Sequence, residues 1–285
     1  MIIDTHTHFY DPFRPEGCPW PSPQEEQLYR TVLPEHFKEV AAPHGVTGTV
    51  VVEAASWVED NQWILDMADD DPVILGLIGK CDVGTPQFAE QIERFARHPV
   101  FRGIRAWGDL DGGFLDDMAL MADKGLVLDC APNVQTWDEC LRLARQLPAL
   151  RLVVEHIAAV RVDGEAPDPE WVSFIQAVAE QPQVYLKVSA LVENSAQQPA
   201  PADTDYYRPT LDTLWAAFGE DRLFFGSNWP VCERSATYET CIGIVRDYFE
   251  ARDTSEKFFW DNAKACYGLP DHPQPASEGT DGPSD

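Results

Sequence analysis

Eight short runs rich in Val, Ile and Leu, separated by longer stretches of helical period, constrain this chain more than any other feature. The runs are Met1 to Thr5, Thr49 to Ala54, Val73 to Ile78, Gly103 to Ala106, Leu126 to Cys130, Leu152 to Glu155, Val184 to Val188 and Leu223 to Gly226. Near-continuous apolar runs of this length read as strands covered on both faces. Between them, Asn61 to Ala68, Phe88 to Ala96, Trp137 to Leu147, Pro169 to Ala179, Tyr207 to Phe218 and Tyr238 to Ala251 gather apolar side chains on one helical face. Alternating strand and helix means a parallel sheet with crossover connections. Eight such units close into an α/β fold, a single-domain (β/α)8 TIM barrel, more naturally than they open into a doubly wound sheet. No glycine-rich dinucleotide turn supports the open alternative.

The length of 285 residues suits one barrel, since such domains run to about 250 residues. The barrel is expected over residues 1–269. The acidic, Pro- and Ser-containing tail 270–285 is expected to be disordered. Two segments break the rhythm. The stretch from Phe9 to Arg30 is too long for an ordinary βα loop and is expected to cap the site. The stretch from Val192 to Asp205 reads as a loop after the seventh strand.

A formal charge of -27 repels nucleic acid and anionic membranes. No apolar run approaches the roughly 18 residues of a membrane span. The opening MIIDTHTHFYD lacks the basic and apolar regions of a signal peptide, so a cytoplasmic protein is expected. The seven cysteines form no CxxC pair, which argues against a disulfide framework or a zinc ribbon. The expected partner is a small-molecule substrate, and a homo-oligomer is compatible with the sequence.

In a (β/α)8 barrel the reacting groups sit at the C-terminal ends of the strands. The first run ends in Asp4-Thr5-His6-Thr7-His8. Residues two apart in an extended segment point the same way, so His6 and His8 offer two imidazoles to one cation, a donor pair suited to Zn²⁺. His156 ends the sixth run and Glu53 the second. A divalent metal is therefore expected on at least two of His6, His8, Glu53 and His156, with a metal-free route left open. Arg105 ends the fourth run and can fork onto a carbonyl or carboxylate. Lys187 in the seventh run is a second candidate of this kind, with a structural ion pair as the alternative reading. Trp20, Trp57, Trp107 and Trp229 lie near strand tops or in the long first loop. Of these, Trp20, Trp107 and Trp229 are the candidates to stack on a sugar-like ring.

The segments IDTHTHFYDP, FRGIRAW, VVEHIA, YLKVSALVE, FGEDRLFFGSNWPV and FFWDNAKACYGL resemble the amidohydrolase superfamily. The likeness is closest to its branch of sugar-lactone and pyrone-dicarboxylate lactone hydrolases, and it runs in order along nearly the whole chain. It implies attack of water on a carbonyl. His6 and His8 match the strand-one pair, and His156 matches the strand-six histidine that binds metal or polarises the carbonyl. Asn228 falls where the family usually has an aspartate that accepts the proton of the attacking water. An amide cannot serve as a general base, though it can orient a water or ligate a cation through its carbonyl oxygen. Glu53 is the first replacement base and Asp129 the next.

Three functions follow. The leading one is hydrolysis of a cyclic ester, such as an aldonolactone, or of a related small carbonyl compound. The second is non-oxidative decarboxylation on the same scaffold. The third is a barrel that lost its base and now binds a ligand or a partner.

Overall fold

Alternate residues of each strand serve two different cores. Val50, Val52, Val127, Val153 and Phe224 point into the barrel, while Val51, Leu128, Leu152, Val154 and Leu223 pack outward against helices. A strand with both faces buried must be apolar at every position, which is why the runs show no polar alternation. Each such side chain taken from water contributes roughly 1.5–3 kcal/mol.

The computed structural model describes residues 1–110 and 112–271. Its strands are β1 (Ile2–Thr7), β2 (Val46–Val52), β3 (Ile74–Gly79), β4 (Phe101–Arg105), β5 (Val127–Cys130), β6 (Arg151–Val154), β7 (Val184–Val188) and β8 (Leu223–Phe225). They form one eight-stranded sheet in chain order, parallel throughout. The helices between them are α1 (Pro34–Ala41), α2 (Asp60–Asp70), α3 (Phe88–Phe95), α4 (Phe114–Asp123), α5 (Trp137–Gln146), α6 (Pro169–Ala179), α7 (Thr204–Phe218) and α8 (Tyr238–Glu250), followed by α9 (Asn262–Tyr267). The fold is the expected (β/α)8 barrel. The tail positions 272–285, expected to be disordered, lie outside the described residues.

Closure occurs just past the ends of β1 and β8. Asn228 N–H donates to the His6 carbonyl and His8 N–H to the Trp229 carbonyl, each at 2.9 Å. The buried Asp4 carboxylate staples the seam: Oδ1 accepts from the Ser227 N–H at 2.8 Å, and Oδ2 accepts from the Tyr238 hydroxyl at 3.0 Å. Between β4 and β5 the backbones meet so closely that a Cβ on Gly103 would lie 1.9 Å from the Val127 carbonyl oxygen, so only glycine fits.

The opposite end is sealed by the segment from Trp260 to Leu269. Trp260, Ala263, Cys266, Tyr267 and Leu269 join the inner core. Arg151, at the start of β6, donates to the Cys266 carbonyl at 2.5 Å. The Tyr267 hydroxyl reaches up to the Asp129 carboxylate at 3.0 Å.

Three helices escaped the sequence reading. These are α1, α4 and α9, of which α9 has only six residues. The first strand also runs to Thr7 rather than Thr5, which places His6 inside it. All seven cysteines are free thiols. Among the described residues, no helix is long and apolar enough to cross a membrane.

Candidate active site

His6 and His8 meet edge to face, with ring centroids 5.0 Å apart. Room for this arrangement depends on Gly226, where a Cβ would stand 2.9 Å from that of His6. The His6 Nδ1 lies 3.2 Å from Glu155 Oε1, which only accepts, and 3.4 Å from Lys187 Nζ, which only donates; the shorter contact to the carboxylate places the ring proton on Nδ1. The His6 Nε2 is shut off from solvent and has no hydrogen-bond partner among the described residues. His8 likewise donates from Nδ1, to the Val52 carbonyl at 3.0 Å. Its Nε2 faces Asn228 Oδ1 at 3.3 Å.

Both rings are held neutral. Burial drives the His6 pKa well below the imidazole range; Lys187 adds to this and Glu155 opposes it. Burial, with the positive charge of Arg105, brings His8 down to about 4. Each imidazole therefore presents a bare Nε2 lone pair. At His8 that lone pair faces a second acceptor, the Asn228 carbonyl oxygen. Asn228 itself is fixed from behind, because its Nδ2 donates to Glu193 Oε1 at 2.7 Å.

His156 arrives by a different route. It opens a turn in which His156, Ile157, Ala158 and Ala159 all hold positive φ, from 50 to 56°. Left-handed conformations cost L-residues roughly 1–2 kcal/mol each, and such strain persists only where the surroundings fix it. Here two indoles fix it: Trp171 of α6 donates to the Ile157 carbonyl at 2.9 Å, and Trp137 of α5 to the Ala158 carbonyl at 3.1 Å. The Ser189 Oγ meets both the His156 backbone N–H, at 3.1 Å, and Nδ1, at 3.0 Å. The His156 Nε2 accepts from Arg105 Nη2 at 3.3 Å. Burial brings His156 down to about 3, so this ring too is neutral.

Beneath these rings lies a charged layer. Arg105 Nε pairs with Glu155 Oε2 at 2.8 Å. The wholly buried Lys187 donates to Asp129 Oδ2 at 2.6 Å and to Glu155 Oε1 at 3.4 Å. Burial alone would raise Glu155, but Arg105, His6 and Lys187 outweigh it and hold the carboxyl well below its usual range.

Above them opens a cavity of about 350 Å³. His8, Glu53, Arg105, His156 and Asn228 form its reactive wall, with Trp20, Val231 and Arg234 at the rim. Burial pushes Glu53 up to about 7, against the pull of Arg105. The long first loop closes one side. Trp20 packs edge-on to His8 at 5.7 Å. The loop is latched to the segment after β8 by the Arg30–Glu233 pair at 2.7 Å and the Arg234–Glu25 pair.

The structure thus gathers His8, His156, Asn228, Glu53, Arg105 and Trp20 around one cavity, with His6 directly behind His8. It does not bring Lys187, Trp107 or Trp229 to the lining. Lys187 is locked in the buried ion layer, which is the alternative that the sequence left open. Trp229 is buried against Phe9 and Phe37, and its indole N–H donates to Glu233 at 2.7 Å. Trp107 packs on the outer core. Asp129 sits beneath the cavity, between Lys187 and Tyr267.

Glu155, Ser189, Glu193 and Arg234 were missed. Glu155 had a readable signal, since it directly precedes His156 at a strand end. Glu193 sits in a turn and Arg234 ends a short 3-10 helix (Val231–Arg234), where no long periodicity announces a side chain's direction.

The donor set fits a divalent cation. Two neutral imidazoles with Nδ1–H groups anchored on a carboxylate and a backbone carbonyl, and with bare Nε2 atoms, are oriented as metal-binding histidines are. The buried, unpartnered Nε2 of His6 is the atom such an ion would satisfy. His6, Glu155 and His156 also bring one ligand atom each within 4.8 Å of one another. Glu155 and His156 already engage Arg105, however, so His6 and His8 are the donors left for an ion.

The amidohydrolase family profile matches residues 3–269. An L-fucono-1,5-lactonase from Burkholderia ambifaria is 31% identical over 80% of this chain and 80% of its own. A crystallised amidohydrolase from Burkholderia multivorans, with HEPES bound, superposes with a TM-score of 0.85 at 25% identity, covering 95% of this chain and all of that one. A second crystal form of the B. multivorans amidohydrolase carries zinc and superposes with a TM-score of 0.83 at 24% identity, covering 95% of this chain and 100% of that one.

Proposed function

The chain belongs to the amidohydrolase family, and from that premise we propose that it is a metal-assisted lactonase acting on a sugar lactone of the aldono-1,5- or 1,4-lactone type. The observation that carries this reading is one cavity in which the bare His8 Nε2, the Arg105 guanidinium and the Glu53 carboxyl of raised pKa face the same space, with the His6 ring edge to face against His8 just outside the lining. Its volume of about 350 Å³ suits a single sugar ring. The L-fucono-1,5-lactonase relative supports the substrate class, and the zinc-bearing B. multivorans structure supports the choice of Zn²⁺.

In this mechanism Arg105 donates to an oxygen of the lactone and fixes the ring against Trp20. His6 and His8 would hold a divalent cation, which would supply Lewis acidity at the carbonyl. Asn228, through Oδ1, orients the attacking water. Glu53, ionised, accepts a proton as the water oxygen bonds to the carbonyl carbon. The ring C–O bond then breaks, and Glu53 returns that proton to the departing alkoxide. The product is an open-chain hydroxy acid. His156 acts on Arg105, accepting from Nη2 and so aiming the guanidinium. We place the protein in the cytoplasm, with a small molecule and not nucleic acid as its partner.

The test is a panel of D- and L-aldonolactones, with and without added Zn²⁺, followed by acid release into a weak buffer. Ring opening of one or more lactones is expected, faster with metal. If no lactone is opened while a hydroxybenzoate loses CO₂, the decarboxylase reading replaces this one.

A further inference from the structure

Asn228 is symmetric in shape but not in chemistry: turned over, its amide would donate to His8 instead of facing it with an oxygen. At 3.3 Å from a bare His8 Nε2, the donating arrangement is the one an isolated Asn would choose. The observed arrangement sets two acceptors against each other. It holds because the other face of the amide meets Glu193 Oε1 at 2.7 Å. Burial pushes Glu193 up to about 7, against the hydrogen bond from Asn228; once ionised, its carboxylate only accepts, so Nδ2 must point at it and Oδ1 must point at the reaction centre.

We propose that Glu193 is a positioning residue which, by accepting from Asn228 Nδ2, keeps the Asn228 carbonyl oxygen and the His8 Nε2 lone pair both turned toward the cavity. The Asn228–Glu193 pair thereby aims an acceptor oxygen at the cavity, while proton transfer stays with Glu53. The negative charge stands one side chain further back, and the front atom is a carbonyl oxygen aimed by it. The position of Glu193 is set by β7 and the turn beyond it, where Ala190 holds a φ of 54° and its carbonyl accepts from the Asn194 N–H at 3.0 Å. Glu193 Oε2 is shut off from solvent and has no hydrogen-bond partner among the described residues. Among the described residues the carboxylate's one hydrogen bond to another side chain is the bond to Asn228, which is what a group present to aim that amide would make.

The activity arm of the test rests on the lactonase reading; the spectroscopic arm does not. In Glu193→Gln, the new amide can donate to Asn228 Oδ1 while Asn228 turns and donates to His8. This variant should lose tenfold or more in kcat, with KM little changed. In Asn228→Asp, two carboxylates meet at the same short distance, and no gain is expected. In the double variant Asn228→Asp/Glu193→Gln, the Gln amide donates to the Asp and leaves its second oxygen facing the cavity. Activity should return to at least that of the natural protein.

The second arm is the ¹⁵N spectrum of histidine-labelled, chelator-treated protein, with His8 assigned by His8→Gln. Its Nε2 should resonate as a bare lone pair in the natural protein and shift upfield, as for a hydrogen-bonded nitrogen, in Glu193→Gln. A hydrogen-bonded His8 Nε2 in the natural protein overturns the proposal even if the Asn228 and Glu193 variants fail to fold. A double variant no better than the worse single one also overturns it. Absence of lactone turnover by the natural protein sinks the lactonase reading and leaves the nitrogen result standing.

Discussion

The indole N–H of Trp171 donates to the carbonyl of Ile157 at 2.9 Å, which ties helix α6 to the centre of a left-handed turn. That turn carries His156 at its first position. The hydrogen bond therefore holds the imidazole in place as well as the fold. Trp171→Phe keeps most of the packing and leaves a buried carbonyl unpaired, a loss of about 1–3 kcal/mol. Urea denaturation should report it, and kcat on the lactone substrate should fall with it.

Strain in the same turn predicts a stabilising change. Ala159 is exposed and holds a φ of 56°. Glycine occupies that region without the Cβ clash, at the expense of greater chain entropy when unfolded. Ala159→Gly should stabilise by about 0.5–1 kcal/mol net. A measured destabilisation would show that the turn is not left-handed in solution.

Glu53 sets the pH dependence. Its pKa of about 7, raised mainly by burial from an ordinary 4.5, leaves the carboxyl protonated and unable to accept below neutrality. The profile of kcat/KM should rise with pH through about 7 and then level. Glu53→Gln should abolish that limb and lower activity by roughly 10²–10⁴. The stability sign is opposite. The folded state binds more protons than the unfolded one between 4.5 and 7, so this group's contribution is present at low pH and is lost as pH rises through 7. Thermal melts of Glu53→Gln should lack that part of the pH dependence.

Lys187 is predicted to matter for stability before it matters for substrate. Lys187→Met removes one partner of a buried set and leaves Asp129 and Glu155 short of a compensating charge. A loss of about 3–5 kcal/mol is expected. Adding Asp129→Asn should recover part of it, because the stranded charge is then gone. If Lys187→Met melts like the natural protein but binds lactone poorly, the residue belongs to the substrate site after all.

Metal binding should depend on His6 and His8 together. The double variant His6→Ala/His8→Ala should retain no stoichiometric Zn²⁺ by elemental analysis, whereas Glu53→Gln should retain it. Chelation of the natural protein should lower its melting temperature, since an ion that binds only the folded state stabilises it.

The barrel was legible because a strand buried on both faces must be apolar throughout, and eight such runs leave few alternatives. His6, His8, His156, Glu53 and Arg105 were legible because a strand end in a barrel has only one place to go. Glu193 was not, since the turn after β7 sends its side chain back toward Asn228 by dihedrals that no hydrophobic period encodes. Lys187 was legible as a strand residue but not by depth, because its place beneath the rings depends on Asp129 and Glu155 from neighbouring strands.

The C-terminal plug orders events in time. Tyr267 completes the bonding of Asp129, and Arg151 is anchored on the Cys266 carbonyl, so the barrel's interior charges gain their last partners from the final residues of the described chain. A ribosome delivers those residues after all eight strands. Until they emerge, the lower mouth of the barrel stands open beneath a buried carboxylate and a buried ammonium. A nascent chain stopped short of residue 260 should thus remain loose and protease-sensitive, with the finished barrel appearing in one late step as Trp260 to Leu269 close the vessel.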